Sequence, residues 1–119
     1  MNWKRVTDAT PKAISTSKYC SSIVELNMED CFITDDGIQP LCDSPNCSKI
    51  EILNLNNSIT QKNNIITDET LKSLAYAKEM SNLKVLELRN TEVSSKGIKN
   101  LSVSLSAENI EKLRLSHCS

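Results

Sequence analysis

Apolar and polar positions alternate along this chain in short bursts, and the same burst returns four times. Ile23-Val24-Glu25-Leu26-Asn27-Met28-Glu29-Asp30-Cys31 has aliphatic residues at its first, fourth and sixth positions. Ile50-Glu51-Ile52-Leu53-Asn54-Leu55-Asn56-Asn57-Ser58 repeats it, as do Leu83-Lys84-Val85-Leu86-Glu87-Leu88-Arg89-Asn90-Thr91 and Ile110-Glu111-Lys112-Leu113-Arg114-Leu115-Ser116-His117-Cys118. Alternation over so few residues predicts a short strand with one face buried. The central leucines stand at 26, 53, 86 and 113, so the spacings are 27, 33 and 27 residues.

A second pattern keeps the same period. Val6-Thr7-Asp8, Ile33-Thr34-Asp35 and Ile66-Thr67-Asp68 align, with Val93-Ser94-Ser95 as the fourth copy. Eight residues after the first member come Ile14, Leu41, Leu74 and Leu101, and nine more lead to the next strand. Gly37 and Gly97 share one repeat position. Thr, Ser and Asp are good N-caps, so helices are predicted over 8–19, 35–43, 68–79 and 95–106. Pro11 falls in a first turn, where proline is tolerated; Pro40 and Pro45 are expected to shorten their helix. One such unit cannot cover its own apolar face, but stacked units bury a continuous one.

The four copies resemble the leucine-rich repeat family over essentially the whole chain. Cys31-Phe32-Ile33-Thr34-Asp35-Asp36-Gly37-Ile38-Gln39-Pro40-Leu41 is the clearest copy, and with the 27-residue period it looks most like the ribonuclease-inhibitor-like and cysteine-containing subclasses. Ser58 and Thr91 stand where Cys31 does, and Thr10 and Thr70 where Gly37 does. The resemblance implies an α/β solenoid, a short curved right-handed superhelix. It has a parallel sheet of four strands on the concave face and helices on the convex face. A single domain, 1–119, would hold units at about 1–22, 23–49, 50–82 and 83–109, with a partial unit at 110–119. The resemblance also implies that the residue in the Cys31 position hydrogen-bonds the backbone of the turn after the strand.

Charge narrows the partners. Fourteen basic and fifteen acidic residues leave a net charge of −1, without the cationic surplus that nucleic-acid binding needs. No apolar run approaches the roughly 20 residues of a membrane span, and Met1–Asp8 has no apolar signal core. Five cysteines are an odd number and too few for a disulfide scaffold, so a reducing, intracellular and cytoplasmic setting is expected. Each cysteine has a packing explanation. Cys20 and Cys47 share a position with Met80 and Ala107, Cys31 shares one with Cys118, and Cys42 aligns with Ser15, Ala75 and Ser102.

Catalytic chemistry finds little purchase. Cys42 and Cys47 lack the second ligand pair of a zinc site. His117 is the single histidine, and its neighbour Cys118 points away from it on leaving a strand. Two distant glycines make no phosphate loop. The sequons at Asn46, Asn56 and Asn100 read as chance. We therefore expect no catalytic residue, cofactor or metal.

The functional candidates are the outward strand positions: Glu25, Asn27 and Glu29; Ile52, Asn54 and Asn56; Val85, Glu87 and Arg89; Lys112, Arg114 and Ser116. Stacked about 4.8 Å apart, they form three ladders whose charge runs from −2 on the first strand to +2 on the last. Ile52 and Val85 lie between the charged ends as an apolar patch, and Glu87 is expected to meet Arg114. The six extra residues, read as 59–64, lengthen a loop beside this face, with Gln61, Lys62, Asn63 and Asn64 as rim contacts. Met1 aligns with Met28, so both ends cut a repeat: either the chain is a piece of a longer protein or its open edge is covered by another chain, with Trp3 folding over the first end. The expected function is a non-catalytic module that binds a protein through its concave strands. The alternatives are the substrate-recognition part of an F-box ubiquitin-ligase receptor, which would need an F-box upstream, and a structural fragment that self-associates through its open end.

Overall fold

A computed structural model describes residues 6–77, 79–104 and 108–116. The expectations placed on Met1, Trp3, Ala107, His117 and Cys118 lie outside these residues. Helices and strands alternate in the order α1 (Ala9–Thr16), β1 (Glu25–Asn27), α2 (Asp35–Cys42), β2 (Ile52–Asn54), α3 (Asp68–Ala75), β3 (Val85–Glu87), α4 (Ser95–Ser102) and β4 (Lys112–Arg114). The strands form one parallel sheet in the order β1-β2-β3-β4. Leu26, Leu53, Leu86 and Leu113 pair in register across it, as the 27- and 33-residue spacings require. The chain is an α/β solenoid.

Its core follows from the alternation. Leu53, Leu55, Leu86 and Leu88 are wholly buried between the sheet and the helices, joined by Ile33, Ile38, Leu41 and Ile66 from the second half of the units. The outermost rungs differ. Leu26, Ile14 and Ile23 on one side, and Leu113, Leu115, Ile98 and Ile110 on the other, are half-buried, since among the described residues each has a neighbouring rung on one side only.

The helices are shorter than predicted, eight residues each. The chain must turn back early to reach the next strand, and it does so through 3-10 turns at Lys18–Cys20 and Pro45–Cys47. Pro40 does not shorten α2, which matches the others in length with the proline inside it. Pro45 opens the 3-10 turn, where a missing N–H costs nothing.

Aspartates join the units. Asp8 accepts from the backbone N–H of Thr34 at 2.8 Å and from its hydroxyl at 2.5 Å. Asp35 does the same to Thr67 at 3.0 and 2.6 Å, and Asp68 holds the N–H of Ser94 at 2.7 Å and its hydroxyl. Thr34 and Thr67 meanwhile accept from Asp36 and Glu69 N–H as the N-caps of α2 and α3. Each clamp thus fixes the start of one helix to the helix before it. The carboxylate lies where a side chain on the next helix would fall. A Cβ at Gly37 would sit 2.9 Å from Asp8 Cγ, and one at Gly97 2.5 Å from Asp68 Cγ. Between them in the series, Thr70 is accommodated because its hydroxyl donates to Asp35 Oδ1 at 2.5 Å.

Candidate functional site

The concave strands carry the candidate residues in the expected ladders: Glu25 beside Ile52, Ile52 beside Val85 and Val85 beside Lys112, with Asn27, Asn54, Glu87 and Arg114 as the next row. Glu25, Asn27 and Glu29 are exposed on β1 and the turn after it; Lys112, Arg114 and Ser116 are exposed at β4. Glu87 pairs with Arg114 at 3.7 Å, and Lys84 with Glu51 at 3.3 Å on the row before the strands. Both pairs face solvent and contribute little stability. The face is therefore acidic at one side, basic at the other and weakly bridged toward the basic side.

The middle of the face departs from expectation. Ile52 and Val85 are half-buried rather than exposed. Asn54 and Asn56 are buried, at 8% and 4% exposure, because the polar atoms of both are taken up within the sheet. Asn54 Oδ1 accepts from Asn56 N–H at 2.9 Å. Asn56 Nδ2 donates to Glu87 Oε1 at 3.1 Å and to Glu29 Oε1 at 3.4 Å, while its Oδ1 accepts from Arg89 N–H at 2.6 Å. Asn56 is thus a strut that holds the carboxylates of neighbouring rungs, and it offers a partner little surface.

The inserted loop is also corrected. Asn64, expected at the rim, is 2% exposed and occupies the position of Cys31. Its Oδ1 accepts from Ile33 N–H at 2.8 Å, and its Nδ2 donates to the carbonyl of Met28 at 2.8 Å. Ser58 instead lies outside, its N–H on Asp30 Oδ1 and its hydroxyl exchanging bonds with Gln61. The extra residues are therefore 58–63, not 59–64. Sequence reasoning had the signal: Cys31 and Thr91 each stand two residues before the buried Ile33 and Val93, as Asn64 stands before Ile66. Asn57 closes the loop, its amide bonding Asn64 O at 2.7 Å and Asn64 N–H at 2.9 Å. Gln61 and Lys62 remain exposed and Asn63 half-buried.

The turn after the strand is satisfied as the resemblance implied. Cys31 Sγ donates to Glu29 O at 3.5 Å and Thr91 Oγ1 to Leu88 O at 2.7 Å. Cys20, Cys31, Cys42 and Cys47 are free thiols. Burial is the main reason that the Cys42 thiol is pushed up to about 12, with Asp43 and Cys47 adding to it. Burial likewise raises Cys31 and Cys47. Protonated thiols of this kind are poor nucleophiles and poor metal ligands. Among the described residues, no three His, Cys, Asp or Glu side chains come together to hold a metal ion, and no helix is long and apolar enough to cross a membrane.

Two surfaces were not foreseen. A cleft of about 630 Å3 runs between α3 and α4 on the convex side, lined by Lys72, Tyr76, Lys96 and Val103 among others. On the rim, Phe32 and Ile65 are exposed in adjacent rungs.

A family model described as Leucine Rich repeat matches residues 19–42 and 79–102, which span β1 with α2 and β3 with α4. No curated protein matches the chain. Repeats of this kind generally mediate protein–protein contact and are typically non-catalytic. With two repeats matched and four rungs in one parallel sheet, the chain carries leucine-rich repeats and has the leucine-rich-repeat α/β solenoid fold.

Proposed function

We propose that this chain is a non-catalytic module that binds a protein partner across its concave strands. The observation that carries the reading is the ordered charge of that face. Glu25 and Glu29 stand exposed at β1, Lys112 and Arg114 at β4, and the Ile52–Val85 pair lies between them. Opposite charges at the two ends of one surface set a partner's orientation and speed its approach more than they add affinity. The near-neutral total charge fits a protein partner better than a nucleic acid. Free thiols in a packed interior suit a reducing compartment, so we place the protein's work inside the cell, in the cytoplasm. The 27-residue unit and the run of Cys31, Asn64 and Thr91 through one position support the ribonuclease-inhibitor-like, cysteine-containing subclass.

Charge reversal at Glu25→Lys, Arg89→Glu and Arg114→Glu is the direct test. In a pull-down from lysate the triple variant is expected to retain about tenfold less of whatever the parent chain captures. An unchanged thermal melt would show that the fold survives, because the three side chains are exposed or half-buried. Equal capture by parent and variant would place the partner on another surface.

A further inference from the structure

The pairing of the units does not stop at the strands. Where the chain leaves the sheet for the helices, Phe32 N–H donates to Val6 O at 2.8 Å, Ile65 N–H to Ile33 O at 2.8 Å and Glu92 N–H to Ile66 O at 2.9 Å. These bonds continue the parallel ladder along the rim, through the bridges Thr7 to Phe32 and Thr34 to Ile65. Ile33, Ile66 and Val93 turn inward and are wholly buried. Their predecessors Phe32, Ile65 and Glu92 turn outward and are exposed, Phe32 at 41% and Ile65 at 53%. The result is a row of two large apolar side chains followed by a carboxylate, one per rung.

The loop 58–63 flanks this row and is held in place. Ser58 is tied to Asp30 on one side of Phe32, and Asn64 to Ile33 on the other. Ile59, in this loop, is 71% exposed. A feature fixed at its base loses little freedom when it is covered, which favours binding.

We propose that the rim row is a docking site for an amphipathic helix of a partner protein, with apolar residues at i and i+3 or i+4 and Lys or Arg at i+7. Spacing selects the helix. Ladder-bonded rungs lie about 4.8 Å apart, while a strand presents same-face side chains about every 6.7 Å. A strand laid across the rungs thus overshoots by about 2 Å at each step. A helix advances about 5.4 Å per turn, and its i to i+7 distance of about 10.5 Å nearly matches the roughly 9.6 Å spanned by two rungs. Charge selects the third anchor: Glu92, exposed, ends the row and calls for a cation opposite it. Its three anchors, Phe32, Ile65 and Glu92, are none of the concave candidates, so it stands or falls separately from the function proposed above.

The probe is an alanine-based helical peptide with leucine at i and i+4 and lysine at i+7, titrated to millimolar concentration against the isotope-labelled chain by NMR. Shifts are expected at residues 32–34, 65–67 and 92–94. The same peptide with glutamate at i+7 is expected to bind about tenfold more weakly, and Glu92→Lys to reverse that preference. The double variant Phe32→Ser, Ile65→Ser, at surface positions that leave the core intact, is expected to remove the shifts. The triple concave variant is expected to leave them unchanged. The inference is overturned if the lysine peptide causes no shift at these residues, or if the lysine and glutamate peptides bind alike. It is overturned equally if the parent chain dimerises in sedimentation and the Phe32→Ser, Ile65→Ser variant does not, because the row would then be an interface between copies.

Discussion

Asn64→Ala is expected to destabilise the fold by about 3 kcal/mol, a large share of the roughly 5–15 kcal/mol that holds a domain of this size. The side chain is buried and satisfies groups on two rungs at once: Ile33 N–H and Met28 O on the first, Leu55 O and Asn56 O on its own. Alanine would leave Ile33 N–H without a partner in a dry interior and Met28 O with only the long bond from Cys31 N–H at 3.4 Å, and a buried group so deprived costs about 1–3 kcal/mol. The neighbouring Asn63→Ala, half-buried in the same loop, is expected to stay within about 0.5 kcal/mol of the parent. Urea denaturation of the two variants gives the comparison. Equal midpoints would mean that the loop, and not the Asn64 amide, joins the first two full rungs.

Gly97→Ala carries the second large effect, and its sign is the informative part. Within an eight-residue helix, alanine in place of glycine ordinarily stabilises by about 1 kcal/mol. Here the new Cβ would meet the Asp68 carboxylate, which cannot retreat without releasing the N–H and hydroxyl of Ser94. Overpacking and the lost clamp together are expected to outweigh the helical gain and to destabilise by about 2 kcal/mol net. In an Asp68→Ala background the obstacle is gone, so the same Gly97→Ala change is expected to become neutral or stabilising by up to about 1 kcal/mol. Thermal or urea melts of the four proteins close the cycle. Additive effects would show that the carboxylate does not constrain position 97.

How far the sequence alone reached follows from what periodicity encodes. Register is the strongest signal, because an inward leucine at one rung must meet its counterparts, and Leu26, Leu53, Leu86 and Leu113 do pair in order. The repeat also located the starts of α2, α3 and α4, since Thr34, Thr67 and Ser94 are N-caps by residue type and by position, while α1 begins at Ala9, one residue later than read. Helix ends were less legible, because no residue marks them; the return to the next strand stops each helix. The aspartates read only as N-cap residues of their own helices, and nothing local in Asp8, Asp35 or Asp68 says that their oxygens serve the following unit. Likewise, alternation gives the face that Asn54 and Asn56 point to, but not whether neighbouring glutamates will close over them. The placement of the six extra residues turned on two polar candidates, Ser58 and Asn64; counting back from Ile66 distinguishes them, while counting forward from Leu53 does not. Phe32 and Ile65 escaped notice because an apolar residue beside a buried isoleucine reads as more core.

The half-buried side chains of the outermost rungs have a thermodynamic meaning. A row of units coupled only to nearest neighbours melts from its extremities, where a single interface rather than two resists departure. Among the described residues, Leu113, Leu115 and Ile98 on one side and Leu26, Ile14 and Ile23 on the other are packed against one rung only, and the two poles of the concave face, Lys112 with Arg114 and Glu25 with Glu29, stand beside them. The electrostatic asymmetry of the surface is therefore carried by the rungs that the described units hold least cooperatively.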